Sequence, residues 1–220
     1  MRITPAGPVD PLTTLDLVEE FIGGTIASGQ IGNFGWLFVG GTTATVNAEA
    51  SHPGIIRRDT SATISTISYL TLRAATGLNH FLASEMFDVT WVFRLNVNDA
   101  DTRVRIGLSS DPSADAPASA IYLEKILTDT QWFGVCRAAS TQSRTAALAT
   151  VDTGWHKIRI RRTDSATIGF TFDAGAEVTL ATNVPGALGV QPSSQIFNNA
   201  AASKTLDHDF FHLKITAMVR

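Results

Sequence analysis

Hydrophobic residues recur at every second position along much of this 220-residue chain. Successive side chains of a strand point to opposite faces, so such a stripe fits a sheet with one face buried. The stretch VTWVFRLNV (89–97) puts Val89, Trp91, Phe93, Leu95 and Val97 on one face, with Thr90, Val92, Arg94 and Asn96 opposite. TRVRIGLSS (102–110) gathers Val104, Ile106 and Leu108 against Arg103 and Arg105. WHKIRIRR (155–162) sets Ile158 and Ile160 against Lys157, Arg159 and Arg161. TIGFTFD (167–173) aligns Ile168, Phe170 and Phe172, and DFFHLKITAMV (209–219) aligns Phe211, Leu213 and Ile215. The same reading extends to 34–39, 43–48, 64–72, 120–127, 131–138, 144–149, 177–181 and 194–198.

About twelve short strands result, and the only 3.6-residue period is a weak one at 15–21, LDLVEEF, which reads as a helical turn or a first strand. The pattern predicts an all-β chain: two antiparallel sheets packed as a jelly-roll sandwich. No βαβ alternation suggests a parallel sheet. Pro5, Pro8 and Pro11 exclude a helix or an inner strand near the start, so residues 1–14 read as an extended arm and 15–220 as one domain. The arm is either a frayed end or a strap along a neighbouring subunit.

Hydrophobic content of 44% supports a core, and a net charge of −3 gives no global basicity for nucleic acid or an anionic membrane. The single Cys136 excludes an internal disulfide and, within an apolar run, reads as a buried thiol. No window reaches the roughly 18 apolar residues of a membrane span, and MRITPAGPVDPLTTLDLVEEF lacks the apolar stretch of a secretory signal. Assembly into a particle and release by lysis is the expected route out of a cell.

GWHKIRIRRTDSATIGFTFDAG (154–175) reads as a hairpin turning at Thr163-Asp164-Ser165. Its tryptophan-led strand (Trp155-His156, Ile158, Ile160), aromatic second strand (Phe170, Phe172) and Asp173–Gly175 turn resemble the concanavalin A-like lectin/glucanase sandwich in its laminin-G-like and viral forms. The closing DHDFFHLKITAMVR looks like that family's last strand, and EEFIGG…GNFGWLF…HPGIIRR looks like the opening of such domains in bacteriophage tail and capsid proteins. The resemblance touches most of residues 19–220. It implies a virion-surface structural protein, a capsid decoration or tail-attachment component that acts by assembly with other virion proteins. A homotrimer is the expected state. The family also holds lectins and enzymes, so a host-surface glycan is the alternative ligand and glycan hydrolysis a third reading.

Catalytic patterns are sparse. Glycosidases need two carboxylates on one face, whereas Glu85 and Asp88 in EMFDVTW are three apart and face opposite ways on a strand. GLSSD (107–111) lacks the spacing of a nucleophile elbow, and no glycine-rich phosphate loop occurs. His208 and His212 would lie roughly 13 Å apart on a strand, too far for one zinc ion. No metal or cofactor is expected, and the chain reads as non-enzymatic.

The polar strand faces carry Arg94, Arg103, Arg105, Lys157, Arg159, Arg161 and Lys214. If these strands share a sheet, one exterior is basic and suits an acidic protein neighbour or an anionic glycan; the other reading is ordinary solvated strand faces. Trp132, followed by Arg137, is the candidate sugar platform, although a buried tryptophan is the commoner outcome. The expected ligand surface is thus Trp132, Arg137, Arg94, Arg105, Arg159 and Arg161.

Overall fold

A computed structural model describes residues 14–22, 30–41, 44–72 and 81–216. Among them seventeen strands run in chain order, with no helix: β1 (Thr14–Glu19), β2 (Gln30–Ile31), β3 (Trp36–Val39), β4 (Ala44–Glu49), β5 (His52–Asp59), β6 (Thr66–Thr71), β7 (Phe81–Leu82), β8 (Met86–Leu95), β9 (Thr102–Ser109), β10 (Ala120–Lys125), β11 (Gln131–Ala138), β12 (Thr141–Thr150), β13 (Trp155–Arg162), β14 (Ile168–Phe172), β15 (Val178–Leu180), β16 (Gly189–Asn198) and β17 (Thr205–Thr216). The expected arm at 1–14 lies outside the described residues except for Thr14, which opens β1. The ambiguous stretch at 15–21 is therefore largely strand.

The strands form two antiparallel sheets. Sheet I runs β15-β14-β13-β8-β17-β5-β4, with β1 also on β17; sheet II runs β12-β11-β10-β9-β16-β6-β3-β2, with β7 also on β16. The two pack face to face, as the period-two stripes require. In β8 burial alternates without a break from Met86 to Leu95; Val97 lies beyond the strand end and is exposed. Trp91 packs at 4.7 Å on Phe211 and 5.3 Å on Trp36, so β8, β17 and β3 meet through aromatic rings. Each such buried side chain contributes about 1.5–3 kcal/mol.

The 154–175 hairpin forms as read, with Ile158 opposite Phe172 and Ile160 opposite Phe170. Asp173 closes it in the left-handed region (φ 50°), its carboxylate accepting the Lys157 amide at 2.7 Å. Facing this hairpin across the core is Gly134, where an added Cβ would stand 2.5 Å from the Phe170 ring. The ring fills the space that a side chain at 134 would need.

Strand β5 departs from the sequence reading. Pro53-Gly54 breaks the stripe and Gly54, Ile55 and Ile56 are buried in succession, so HPGIIRRD alternates only from Ile56 onward. Gly54 is needed because an added Cβ would meet the Glu20 carbonyl at 2.3 Å. In β17 the pairing with β8 slips between His208 and Phe210. His208 is consequently buried beside Trp91, whereas His212 reaches Asp16 at the surface.

Candidate functional site

The outer face of sheet II is polar yet largely covered. Its strands stack three cross-strand rows. The first is Gln195, Arg105, Glu124 and Phe133; the second Ser193, Gly107, Tyr122, Val135 and Arg144; the third Gln191, Ser109, Ala120, Arg137 and Gln142. At the centre of the first row, buried Glu124 accepts Arg105 Nε at 2.9 Å and Gln142 Nε2 at 3.0 Å, with Arg144 Nε at 3.3 Å. Three guanidiniums also lie over rings of the same face: Arg103 at 4.3 Å from Phe197, Arg144 at 4.1 Å from Phe133, and Arg105 at 5.2 Å from Tyr122. Such stacking fixes planar donor forks in place.

Loop 110–119 (SDPSADAPAS) lies across the middle of these rows. Asp111 turns it by accepting Ser113 N at 2.9 Å, and Ser110 N closes its base on the Ser119 carbonyl at 2.9 Å. The loop is held by carbonyl oxygens set on the donors of the sheet. Arg105 donates to the Asp115 carbonyl, Arg137 to Pro117 at 2.5 Å, and Gln195 to Pro112 at 3.1 Å and Ala114 at 3.0 Å. Beneath it, over side-chain-free Gly107, remains a cavity of about 10 Å³ lined by Arg105, Tyr122, Ser193 and Gln195, room for about one water. The Tyr122 hydroxyl and both polar atoms of Gln191 are buried without a hydrogen-bond partner. Burial pushes the Tyr122 phenol up to about 12, and burial likewise lowers Arg103, helped by nearby Arg105.

The charges here are not evenly balanced. Arg103 pairs with Asp115, Arg105 with Glu124, and Arg144 with Asp129. The partners of Arg137 are the Pro117 carbonyl and the Gln142 amide oxygen, both neutral.

The six residues expected from sequence to form one ligand surface are dispersed over three places. Arg105 and Arg137 share the sheet II face. Arg94, Arg159 and Arg161 lie on the outer face of sheet I. Trp132 is wholly buried between the sheets, 5.4 Å from Phe93 and 6.3 Å from Phe172, and offers no ring face to a sugar. Its neighbours in β11 alternate as apolar on both faces, so the stripe did not reveal which face turned inward. Tyr122, Gln191, Gln195 and Glu124 were missed, because their strands read simply as apolar or polar runs until the register stacked them.

The arginines of the expected basic exterior of sheet I are paired with carboxylates brought beside them by other segments. Arg94 Nη2 donates to both Glu49 (2.7 Å) and Asp207 (2.6 Å), and Arg57 Nε donates to Asp207 at 2.8 Å. Arg159 Nε meets Asp88 at 2.9 Å and Arg161 Nη2 meets Glu177 at 2.8 Å. Trp155 joins this network, stacked on His52 at 4.3 Å with Arg94 4.5 Å from its ring. Burial pushes the Asp207 carboxyl up, but bonds from Arg57, Asn96 and Arg94 outweigh it and hold it below the usual range. The Arg94 bond lowers Glu49 as well. These two carboxylates share one guanidinium and both stay ionised, whereas glycoside hydrolysis needs one of a pair protonated. Among the described residues no group of three or more His, Cys, Asp or Glu is placed to hold a metal ion, and no helix is long and apolar enough to cross a membrane.

Two face-packed antiparallel sheets with one polar, loop-covered exterior define a β-sandwich domain. The chain belongs to the SO2946-like C-terminal domain family, whose profile matches residues 51–212. Its fold is similar to the crystal structure of SO2946, a protein of unknown function from Shewanella oneidensis MR-1 (14% identity, 99% of both chains, TM-score 0.72). It is similar also to the Emp47p carbohydrate recognition domain (11% identity, 96% of this chain and 100% of that one, TM-score 0.60). A third relative in fold is the CBM2 module of the evolved Dit of Lactobacillus casei BL23 phage J-1 (11% identity, 94% and 98%, TM-score 0.56). No curated protein sequence matches the chain.

Proposed function

We propose that this chain is a non-enzymatic carbohydrate-binding module of the concanavalin A-like kind, carried on a bacteriophage particle, and that its binding face is the exterior of sheet II. The observation that carries the reading is the set of three guanidinium-on-ring pairs and amide side chains in adjacent rows, with the Tyr122 hydroxyl beneath the loop and the Gln191 amide in the next row left without partners among the described residues. Sugars are bound by such planar donors and ring faces. Fold similarity to a carbohydrate recognition domain and a phage-borne module supports the reading. The loop carbonyls occupy the positions that ligand oxygens would take, so binding displaces loop 110–119 from Arg105, Arg137 and Gln195. Arg137, with neutral partners only, favours a sugar that carries a carboxylate.

Isothermal titration with neutral and uronate-bearing oligosaccharides tests this. Saturable binding of the acidic sugars is expected, weakened about tenfold or more in Arg137→Gln by loss of a charge-assisted bond and retained in Lys157→Gln on the opposite exterior. Equal binding by wild type and Arg137→Gln, or none by either, overturns the reading.

Attachment to virion neighbours is the second reading. Val18 and Ile22, close to the N-terminal segment, are 49% and 47% exposed and offer an apolar contact to another subunit. Co-purification with intact particles, and a copy number that is a multiple of three, is the expected result.

A further inference from the structure

The interior of the sandwich contains a cation that pairs with no carboxylate among the described residues. Arg58, on β5, is fully buried and reaches from sheet I across to sheet II. Its Nη1 donates to the Ser194 carbonyl at 3.2 Å and its Nη2 to Ser194 Oγ at 2.7 Å. That hydroxyl lies 2.9 Å from His208 Nε2, and Arg58 Nη2, which can only donate, stands 3.5 Å from the same nitrogen. A guanidinium facing Nε2 selects the tautomer in which that nitrogen accepts, so the proton sits on Nδ1 and the ring is neutral. Burial and the nearby Arg58 charge hold His208 well below its ordinary value. Burial also lowers Arg58, to about 9, which leaves it charged at neutral pH. The cluster therefore carries one net positive charge.

The remaining buried polar atoms of this region can all act as donors. Arg58 Nε, His208 Nδ1, Ser68 Oγ, Trp91 Nε1 and Trp36 Nε1 are buried with no partner among the described residues. In these states every one of them can donate, and all but the Ser68 hydroxyl can do nothing else. They occupy one region of the core: Trp91 lies 5.3 Å from the His208 ring and 5.3 Å from Trp36, and Ser68 is on the inner face of β6 beside the Ser194 strand. An isolated buried cation is costly, and so is each unmade buried bond. One species removes both penalties together: a small anion.

We propose that the sandwich core binds a small monovalent anion of the chloride class against Arg58, between β5, β6, β8 and β17. The site is separate from the sheet II face and does not depend on its sugar ligand. A small carboxylate meets the same charge requirement.

The test uses the whole chain refolded in sodium gluconate, with bromide or chloride titrated at constant ionic strength. Tm should rise by roughly 3–6 °C once halide exceeds its Kd about tenfold, and acetate in a parallel arm reports the carboxylate. Arg58→Met should melt with no halide dependence, since an apolar isostere replaces the buried charge at little cost. Crystals grown in bromide should give an anomalous peak in contact with the Arg58 guanidinium. This last measurement keeps the proposal decidable if Arg58→Met does not fold. Water alone beside Arg58 in those crystals overturns it, whatever the melting curves show, and so does a halide response that survives in a folded Arg58→Met.

Discussion

Arg105 stands 5.2 Å over the ring of Tyr122, yet the hydroxyl of that same tyrosine has no partner. A residue so placed is anchored through its ring and idle at its polar tip. That combination costs stability in the folded chain and becomes useful only when another molecule supplies the missing bond.

Tyr122→Phe tests the idle hydroxyl. Removing it should leave the melting temperature unchanged or raise it, because a buried unmade bond is deleted, while weakening sugar binding measured by titration calorimetry. The phenol is pushed up to about 12 by burial, against roughly 10 in the unfolded chain. The folded state therefore holds the proton longer, and its contribution is present below about pH 10 and lost as pH rises towards 12. Urea melts at pH 9 and pH 12 should show an alkaline loss that is about 2–3 kcal/mol smaller in Tyr122→Phe.

Asp207 has the opposite sign. Its carboxyl is held low, so the stability it supplies is present above about pH 4 and lost as pH falls through the folded value below it. Asp207→Asn takes a buried carboxylate from Arg57, which is partly exposed, and from Arg94, which keeps Glu49, and should cost about 1.5–3 kcal/mol at neutral pH. Acid titration by circular dichroism should show a shallower decline in the variant than in the wild type.

Gly134→Ala places a methyl group against the Phe170 ring, 2.5 Å from its nearest atom. The expected cost is about 1–3 kcal/mol of overpacking, read as a lower Tm. Phe170→Leu added to this variant should recover part of the loss. Additive losses would show that the two sites do not touch.

Trp132→Ala should destabilise by about 3–5 kcal/mol, as for a large core side chain. Loss of sugar binding in that variant should track the unfolded fraction. Under conditions where Trp132→Phe is fully folded, its sugar affinity should equal that of the wild type.

The fold was legible because its strands follow the inward stripe closely. β11 and β13 begin and end where the alternation does, and the 154–175 hairpin has the turn its Thr-Asp-Ser predicts. Two things were hidden. Pro53-Gly54 concealed β5 because close approach to the Glu20 carbonyl, not a stripe, determines the residue there. The charge of each exterior was hidden by register: Arg94 and Arg159 look like a basic surface until Asp207 and Asp88 arrive beside them from other strands. Trp132 was misassigned for a related reason, since Phe133 and Val135 make its strand apolar on both sides. Pairing between distant segments decides such questions, and a single strand does not contain that information.

Loop 110–119 is tethered at both ends to the strands whose donors it covers, so it competes for them as an internal ligand at an effective concentration in the millimolar range or above. On the proposed carbohydrate-binding function, an incoming saccharide would meet that competition at every module, and affinity per copy would be correspondingly modest. Firm adhesion would then come from avidity: many weak modules held in a fixed geometry would grip a polymer, each able to release it and rebind without the whole letting go.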